Sequence, residues 1–334
     1  MAIFTGTSST ITVATGGGLR EDLEDVIWDL FPADTYLLSN LDKVSAKATL
    51  HEWLGDTLSA PASNLQLEGD EFAADAIANP ARYNNYQQIS RKTFIISGTL
   101  EKVAKAGRKS EVARAAMKAM RELKRDMELA LIGNQIGTAG SGTVARSTAG
   151  MESWIGATAA SATVATRVVL STSSASATTP PVASGVPGTA LGDGATFGAF
   201  KESAFKLALE GAWNQGGDSQ VILCSPINKL VIDDFTGVAT RFIDVNRGQE
   251  ASIVGAANFY VSSFGNHKVI MHRYIRNTAV INLDPDFWAI SFLRRPFSEK
   301  LAKTGDAEKH QLLAEFGLVS RNNLASSKVV GMVA

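Results

Sequence analysis

The sequence predicts a mixed α+β fold, and three observations predict it. A run of good helix formers, free of interior proline and glycine, extends from Ser110 to Gly133. Short apolar runs of the kind that form strands recur from Gln220 towards the end of the chain. Between two earlier strand-like runs lies a long segment, Gly55 to Asn85, with Pro61, Gly69 and Pro80 and little apolar periodicity. A chain of 334 residues is too long for one ordinary core, so two domains, or one domain with long excursions, are expected.

Residues 1–18 are Thr, Ser and Gly with scattered Ile and Val, a composition that orders only against a neighbour, so they read as an arm. Arg20-Glu21-Asp22-Leu23 then opens a short amphipathic helix with Leu23, Val26, Ile27 and Leu30 on one side and Pro32 at its end. Alternation from Lys47 to Leu54 predicts a strand, and Ile89, Phe94, Ile95, Ile96 and Thr99 mark a second one from Tyr86 to Leu100. Structureless stretches as long as the one between them are uncommon inside compact domains, so it is expected to protrude and pack on another molecule.

The helix that follows has Ser110 as N-cap, Glu111 in its first turn and Gly133-Asn134 as its stop. At about 1.5 Å per residue it is a rod of roughly 35 Å. Val112, Ala116, Ala119, Leu123, Met127, Ala130 and Leu131 form its apolar stripe, while Arg114, Lys118, Arg121, Lys124, Arg125 and Glu128 occupy positions expected to be wet or to meet acid.

Residues 137–198 are dominated by Gly, Ala, Ser and Thr, with Trp154-Ile155 and Arg167 to Leu170 as packing handles and Ser171 to Gly194 read as an exposed loop. Thereafter the pattern is ordinary α/β material. Thr196 is expected to cap a helix bearing Phe197, Phe200, Ala204, Leu207 and Ala208 and ending near Gly211. Gly216-Gly217-Asp218 turns into a buried strand at Gln220 to Cys224, and Ser225-Pro226 starts another helix with proline in its first turn. Strands are expected at Phe259 to Ser263, Lys268 to His272, Thr278 to Leu283 and Phe287 to Leu293, and along the alternation His310, Leu312, Ala314, Phe316, Leu318.

Charge and composition exclude several classes. The net charge of −1 argues against a dedicated nucleic-acid binder, which would carry a net basic domain. A single cysteine, Cys224, forms no intramolecular disulfide. The first residues lack the basic and apolar regions of a secretory signal. The charge-free segment Val168 to Gly192 is too polar for a bilayer, so no membrane span is expected.

Charge is nevertheless segregated locally. Glu52, Asp56, Glu68, Asp70, Glu71 and Asp75 fall in a stretch without Lys or Arg, whereas Arg108, Lys109, Arg114, Lys118, Arg121, Lys124 and Arg125 are opposed only by Glu111 and Glu122. An acidic loop and a basic helix pair within one molecule or, if the loop reaches outward, between identical molecules. Two solvated faces are the alternative.

The constellations of catalysis are missing from the sequence. His51, His267, His272 and His310 sit in no metal-binding spacing, and His267 and His272 have opposite strand parity. Gly16-Gly17-Gly18 and Gly107-Arg108-Lys109-Ser110 lack the rest of a phosphate loop, and Gly137 to Gly142 leads into no helix. Cys224 in an apolar strand reads as core. Asp284-Pro285-Asp286 and Asp233-Asp234 read as a turn and a helix end. No catalytic residue, metal or cofactor is expected.

Several short matches run through the chain in order: Arg20-Glu21-Asp22-Leu23, Glu52-Trp53 with Asp56, Glu68-Gly69, Asn85 with Gln88-Ile89, and Arg125-Asp126 with Glu128 and Ala130-Leu131. Gly216-Gly217-Asp218, Asp284-Pro285-Asp286, Leu301 to Asp306 and Glu315 continue them. Together, from about residue 19 to 325, they resemble the tailed-bacteriophage major capsid (major head) protein family of the Hong Kong 97-type (HK97-like) fold, in the group without a fused scaffolding domain.

The resemblance implies an N-terminal arm with a short helix (1–46), an extended loop (47–100), a peripheral domain with the spine helix (101–149), an axial domain around capsomer centres (150–280) and a return to the peripheral domain (281–334). It implies a virion protein, assembled in the bacterial cytoplasm, whose pentamers and hexamers form an icosahedral shell around double-stranded DNA. With no lysine between Lys47 and Lys92, the loop tip has none to give to a Lys–Asn crosslink, so non-covalent contacts or a decoration protein are expected to hold the shell. Because the matches begin by residue 20, a separate scaffolding protein is expected, beside a portal protein. An encapsulin-like compartment shell is the nearest alternative. A soluble α/β enzyme is the alternative from another class, which a ligand pocket with clustered titratable residues would favour.

Overall fold

The computed structural model describes residues 34–56, 58, 61–69, 71, 77, 79–103, 109–155, 168–170, 173–176, 198–235, 258–303 and 305–332. The arm, the Arg20–Leu30 helix, Thr196, Phe197 and most of 171–194 lie outside them.

The spine helix, α3 (Glu111–Ile132), follows α1 (Tyr36–Asn40) and α2 (Gly98–Lys102) and precedes the short α4 (Met151–Trp154). Ser110 caps it, its Oγ accepting the Ala113 N–H at 3.2 Å. Ala119, Leu123, Met127, Ala130 and Leu131 are buried as the stripe predicts, with Ile132, whereas Val112 and Ala116 remain half-buried near the N-terminal end. At the C-terminal end Gly150 passes so close that a Cβ there would strike the Gly133 carbonyl.

The spine packs on a four-stranded sheet of β1 (Asp42–Ser45), β11 (Trp288–Leu301), β12 (Ala307–Ser320) and β4 (Gln88–Ser97), in that order. Here β1 is parallel to β11 and the remaining pairs are antiparallel. The expected Phe287 to Leu293 strand proves much longer. Register shifts on either side of Arg294, with Pro296 next to them, interrupt the alternation that would have revealed its length.

The second strand-like run, Tyr86 to Leu100, divides at Gln87 into β4 and the end of β3 (Ala81–Tyr86), which forms a separate hairpin with β2 (Leu50–Gly55). The Gln87 N–H donates to the Thr49 carbonyl at 2.8 Å and its Nε2 to Ser291 Oγ at 2.7 Å. Gly317 leaves room for that carboxamide, since a Cβ there would approach Gln87 Nε2 to 2.8 Å.

A seven-stranded sheet runs β6 (Ser173–Ser176), β5 (Val168–Leu170), β13 (Ser327–Val330), β10 (Ala279–Leu283), β7 (Val221–Cys224), β9 (Gly265–Met271) and β8 (Phe259–Ser262). Its central strands β7 and β10 are buried on both faces; β7 accordingly reads as a continuous apolar run, and β10 does so except at Asn282, whose Nδ2 donates to Ser327 Oγ at 3.0 Å. One face joins the spine core through Val221, Leu223, Ile281 and Leu283. The other carries Ile222, Cys224, Val280 and Val329 against Phe205, Ala208 and Leu209 of α5 (Glu202–Trp213). The helix after Ser225, α6 (Pro226–Asp233), begins as expected, with Ser225 Oγ accepting the Asn228 N–H at 3.3 Å.

Two expectations are corrected here. The first helix of this half starts at Glu202 instead of Thr196: Phe200 is buried from the lead-in, against Phe205 and Phe235, and not from a helical turn. It passes through Gly211 and ends at Trp213, and the turn after it reaches Gly216, whose φ of 80° suits glycine. Residues 173–176 form β6 inside the segment expected to be a loop, because pairing with β5 uses the backbone and requires no apolar side chains. Strand β13 belongs to the seven-stranded sheet and not with β11 and β12. Val329 and Val330 are buried between β10 and β5, and Lys328 is buried because its Nζ donates to the Glu152 carbonyl at 2.8 Å.

Candidate functional site

The protrusion is tied down at its root by side-chain hydrogen bonds. Trp53 Nε1 donates to the Ser320 carbonyl at 2.8 Å, and its ring packs on Trp154 with centroids 5.6 Å apart. Asn85, wholly buried, donates from Nδ2 to the Leu318 carbonyl at 2.7 Å and the Ala149 carbonyl at 3.2 Å, while its Oδ1 accepts the Ala149 N–H at 2.9 Å. One carboxamide thus ties the hairpin to the long strand β12 and to the chain beyond the spine. Farther out the apolar side chains are exposed: Leu58 is 99% exposed, Ile77 94%, Leu65 88% and Leu67 80%.

Of the acidic residues, Glu52, Asp56, Glu68 and Glu71 are exposed on this protrusion, and Glu52 faces Arg82 across the hairpin at 3.9 Å. Asp70 and Asp75 lie outside the described residues, as does Arg108. On the spine, Lys109, Lys118, Arg121 and Lys124 are exposed. Arg114 pairs with Glu111 at 3.7 Å and Lys118 with Glu122 at 3.9 Å. Arg125 is committed internally, its Nε donating to the Tyr274 hydroxyl at 3.0 Å.

Glu128 corrects the reading of the wet face. Its carboxylate is fully buried, with Oε1 accepting the Leu37 N–H at 2.6 Å and Oε2 the Leu38 N–H at 3.0 Å. The Tyr274 N–H donates to His272 Nδ1 at 3.3 Å, which leaves the proton on Nε2 to donate to Glu128 Oε1 at 2.9 Å. Helical spacing alone marks that position as adjacent to the stripe; the charge concealed its burial. Glu152 is a second buried carboxylate, bonded by Arg276 and 3.8 Å from Lys328 Nζ.

His267 and Cys224 sit in structural environments. His267 bonds the Ser219 carbonyl and lies 2.7 Å from Ser262 Oγ, and burial lowers its pKa. Burial pushes the Cys224 thiol up to about 12, against a smaller opposing effect of Lys229. Asp284 Oδ2 accepts the Asp218 N–H at 2.9 Å and its Oδ1 the Asp286 N–H at 3.3 Å, the turn expected of that sequence. Among the described residues no group of three His, Cys, Asp or Glu is placed to hold a metal.

The root is pinned, the tip is apolar and acidic and the spine exposes basic side chains, and solved structures of phage capsid proteins share this fold. A cyanophage A-1(L) capsid subunit superposes with a TM-score of 0.67 at 15% identity over 98% of this chain and 100% of that one. The capsid of the native GTA particle gives 0.65 at 11% identity, covering 96% and 98%. The Hong Kong 97-type capsid fold is therefore confirmed. The major capsid protein of Escherichia phage Phieco32 is 26% identical over 323 residues, 89% of this chain and 90% of that one. The model of the SU10 major capsid protein family matches residues 3–332, and the chain belongs to that family of phage major capsid proteins, which form the capsid shell.

Proposed function

We propose that the protein builds its shell from pentamers and hexamers by laying the acidic, apolar tip of the 56–80 protrusion across the basic spine of an adjacent copy. The observation that carries this reading is the contrast within the protrusion: Trp53 and Asn85 fix its root, while Leu58, Leu65, Leu67 and Ile77 project from the subunit that bears them. Apolar side chains displayed in this way mark an interaction surface, and Glu68 and Glu71 give it the charge opposite to that of Lys118, Arg121 and Lys124.

The shell encloses double-stranded DNA by containment and holds together through non-covalent contacts, with assembly in the host cytoplasm directed by separate scaffolding and portal proteins. One structural neighbour pairs phage G major capsid proteins with decoration proteins, and a decoration protein is a further partner suited to such a shell. The four-stranded sheet and spine serve as the peripheral body, and the seven-stranded sheet, β13 included, as the axial one. Electron microscopy of the purified protein, with sedimentation, tests this reading. Shells, tubes or pentameric and hexameric rings are expected; a monomer that stays monomeric even with its scaffolding partner contradicts it.

A further inference from the structure

The four-stranded sheet ends at β4 on a long edge to which no further strand is added among the described residues. The Gly98 N–H donates to the Asp306 carbonyl at 3.1 Å, so alternation along this antiparallel ladder turns the backbone groups of Gln88, Ser90, Lys92, Phe94 and Ile96 towards β12. Those of Ile89, Arg91, Thr93 and Ile95 consequently point away from the sheet, where no strand lies among the described residues. The side chains of these four residues are exposed too, Ile95 at 63%. Natural edges are usually short, interrupted by a bulge or proline, or covered. This one is ten residues long without bulge or proline, and Arg91 is its only outward charge.

The protrusion has the complementary deficiency. Ser63 to Glu68 alternates Asn64, Leu65, Gln66, Leu67, Glu68, which is the pattern of a strand. It belongs to no sheet in its own subunit, and each of its residues is exposed. It does not serve its own β4, because β3 leads into β4 with only Gln87 between them and the hairpin therefore carries the tip in the opposite direction. We propose that residues 63–68 of one copy add as a strand to the β4 edge of a second copy. The inference rests on the reading that the protrusion reaches a neighbour, and it specifies the seat. With Leu65 and Leu67 on the face of Ile89, Thr93 and Ile95, the pleat turns Glu68 to the opposite face. That face is the one α3 crosses, as the Lys92–Asp126 pair at 2.7 Å shows, and there Lys124 is exposed.

The test is disulfide trapping in assembled shells of the full chain, with Leu67→Cys combined with Thr93→Cys or with Ile95→Cys to span the register. Oxidation is expected to convert the single-chain band to multiples of it; buried Cys224 does not interfere. Thr93→Pro is the second variant: it removes an outward N–H while leaving the β12 ladder intact, and loss of shells from the sedimentation profile with an unchanged subunit circular dichroism spectrum is expected. If neither pair cross-links but Glu68→Cys links to Lys124→Cys, strand addition is overturned and the loop-on-spine contact stands. If none of the three pairs links in intact shells, both fail.

Discussion

Glu128 is the residue on which the junction between the spine, α1 and the turn after β9 depends. Replacing it with alanine leaves the Leu37 and Leu38 N–H groups and His272 without an acceptor in a buried site. Unsatisfied buried donors cost about 1–3 kcal/mol each, so Glu128→Ala is expected to destabilise the unassembled subunit by about 3 kcal/mol or more in urea denaturation. Cys224 gives a simpler outcome: with its thiol near a pKa of about 12 and wholly buried, it should not react with a maleimide at neutral pH until the subunit unfolds. These two positions also mark what residue identity alone conveys. Cysteine in an apolar strand was legible as core. Glutamate on a helix was not legible as buried, because nothing local announces the three distant donors that satisfy it.

At the level of elements, the spine was legible because its signals are local: cap, first-turn acid and stripe lie within the helix itself. Ser110→Ala should cost about 1 kcal/mol, read as a lowered urea midpoint at unchanged slope. The strands divide by the same criterion. Doubly buried β7 and β10 were legible, whereas β1 (Asp-Lys-Val-Ser) and β13 (Ser-Lys-Val-Val) owe their conformation to ladders with β11, β10 and β5 that lie far off in sequence. The tip of the β11–β12 hairpin has an electrostatic dependence of its own. Lys300 and Lys303, 3.0 and 3.2 Å from Glu308, hold its carboxyl down to about 2 from an ordinary 4.5. A depressed carboxyl pKa stabilises the fold at pH above the ordinary value, and that contribution disappears as pH falls from about 4.5 to about 2. The side-chain carboxyl carbon shift of Glu308, followed by NMR in the unassembled subunit, should titrate near 2, and near its ordinary value in Lys300→Gln/Lys303→Gln.

For the whole molecule, the bare loop and its charge were visible in the sequence, while the pinned root was only half visible. Trp53 and Asn85 stand out as residues, but their acceptors, the Ser320, Leu318 and Ala149 carbonyls, are supplied by the tertiary fold. If the tip meets the spine of a neighbour, Glu68→Lys/Glu71→Lys should reduce shell yield, more at low salt than at high, since exposed charges are screened over about 8 Å at physiological ionic strength. Adding Lys124→Glu should restore part of that yield, measured as the fast-sedimenting fraction.

The most direct measurement is an electron cryomicroscopy reconstruction of the assembled shell, resolved well enough to trace residues 56–80. The account predicts that this segment leaves its own subunit at Trp53 and Asn85 and lies on the spine helix of an adjacent copy. Density folding it back onto its own subunit, with the neighbour's Lys118, Arg121 and Lys124 left facing solvent, would contradict that account.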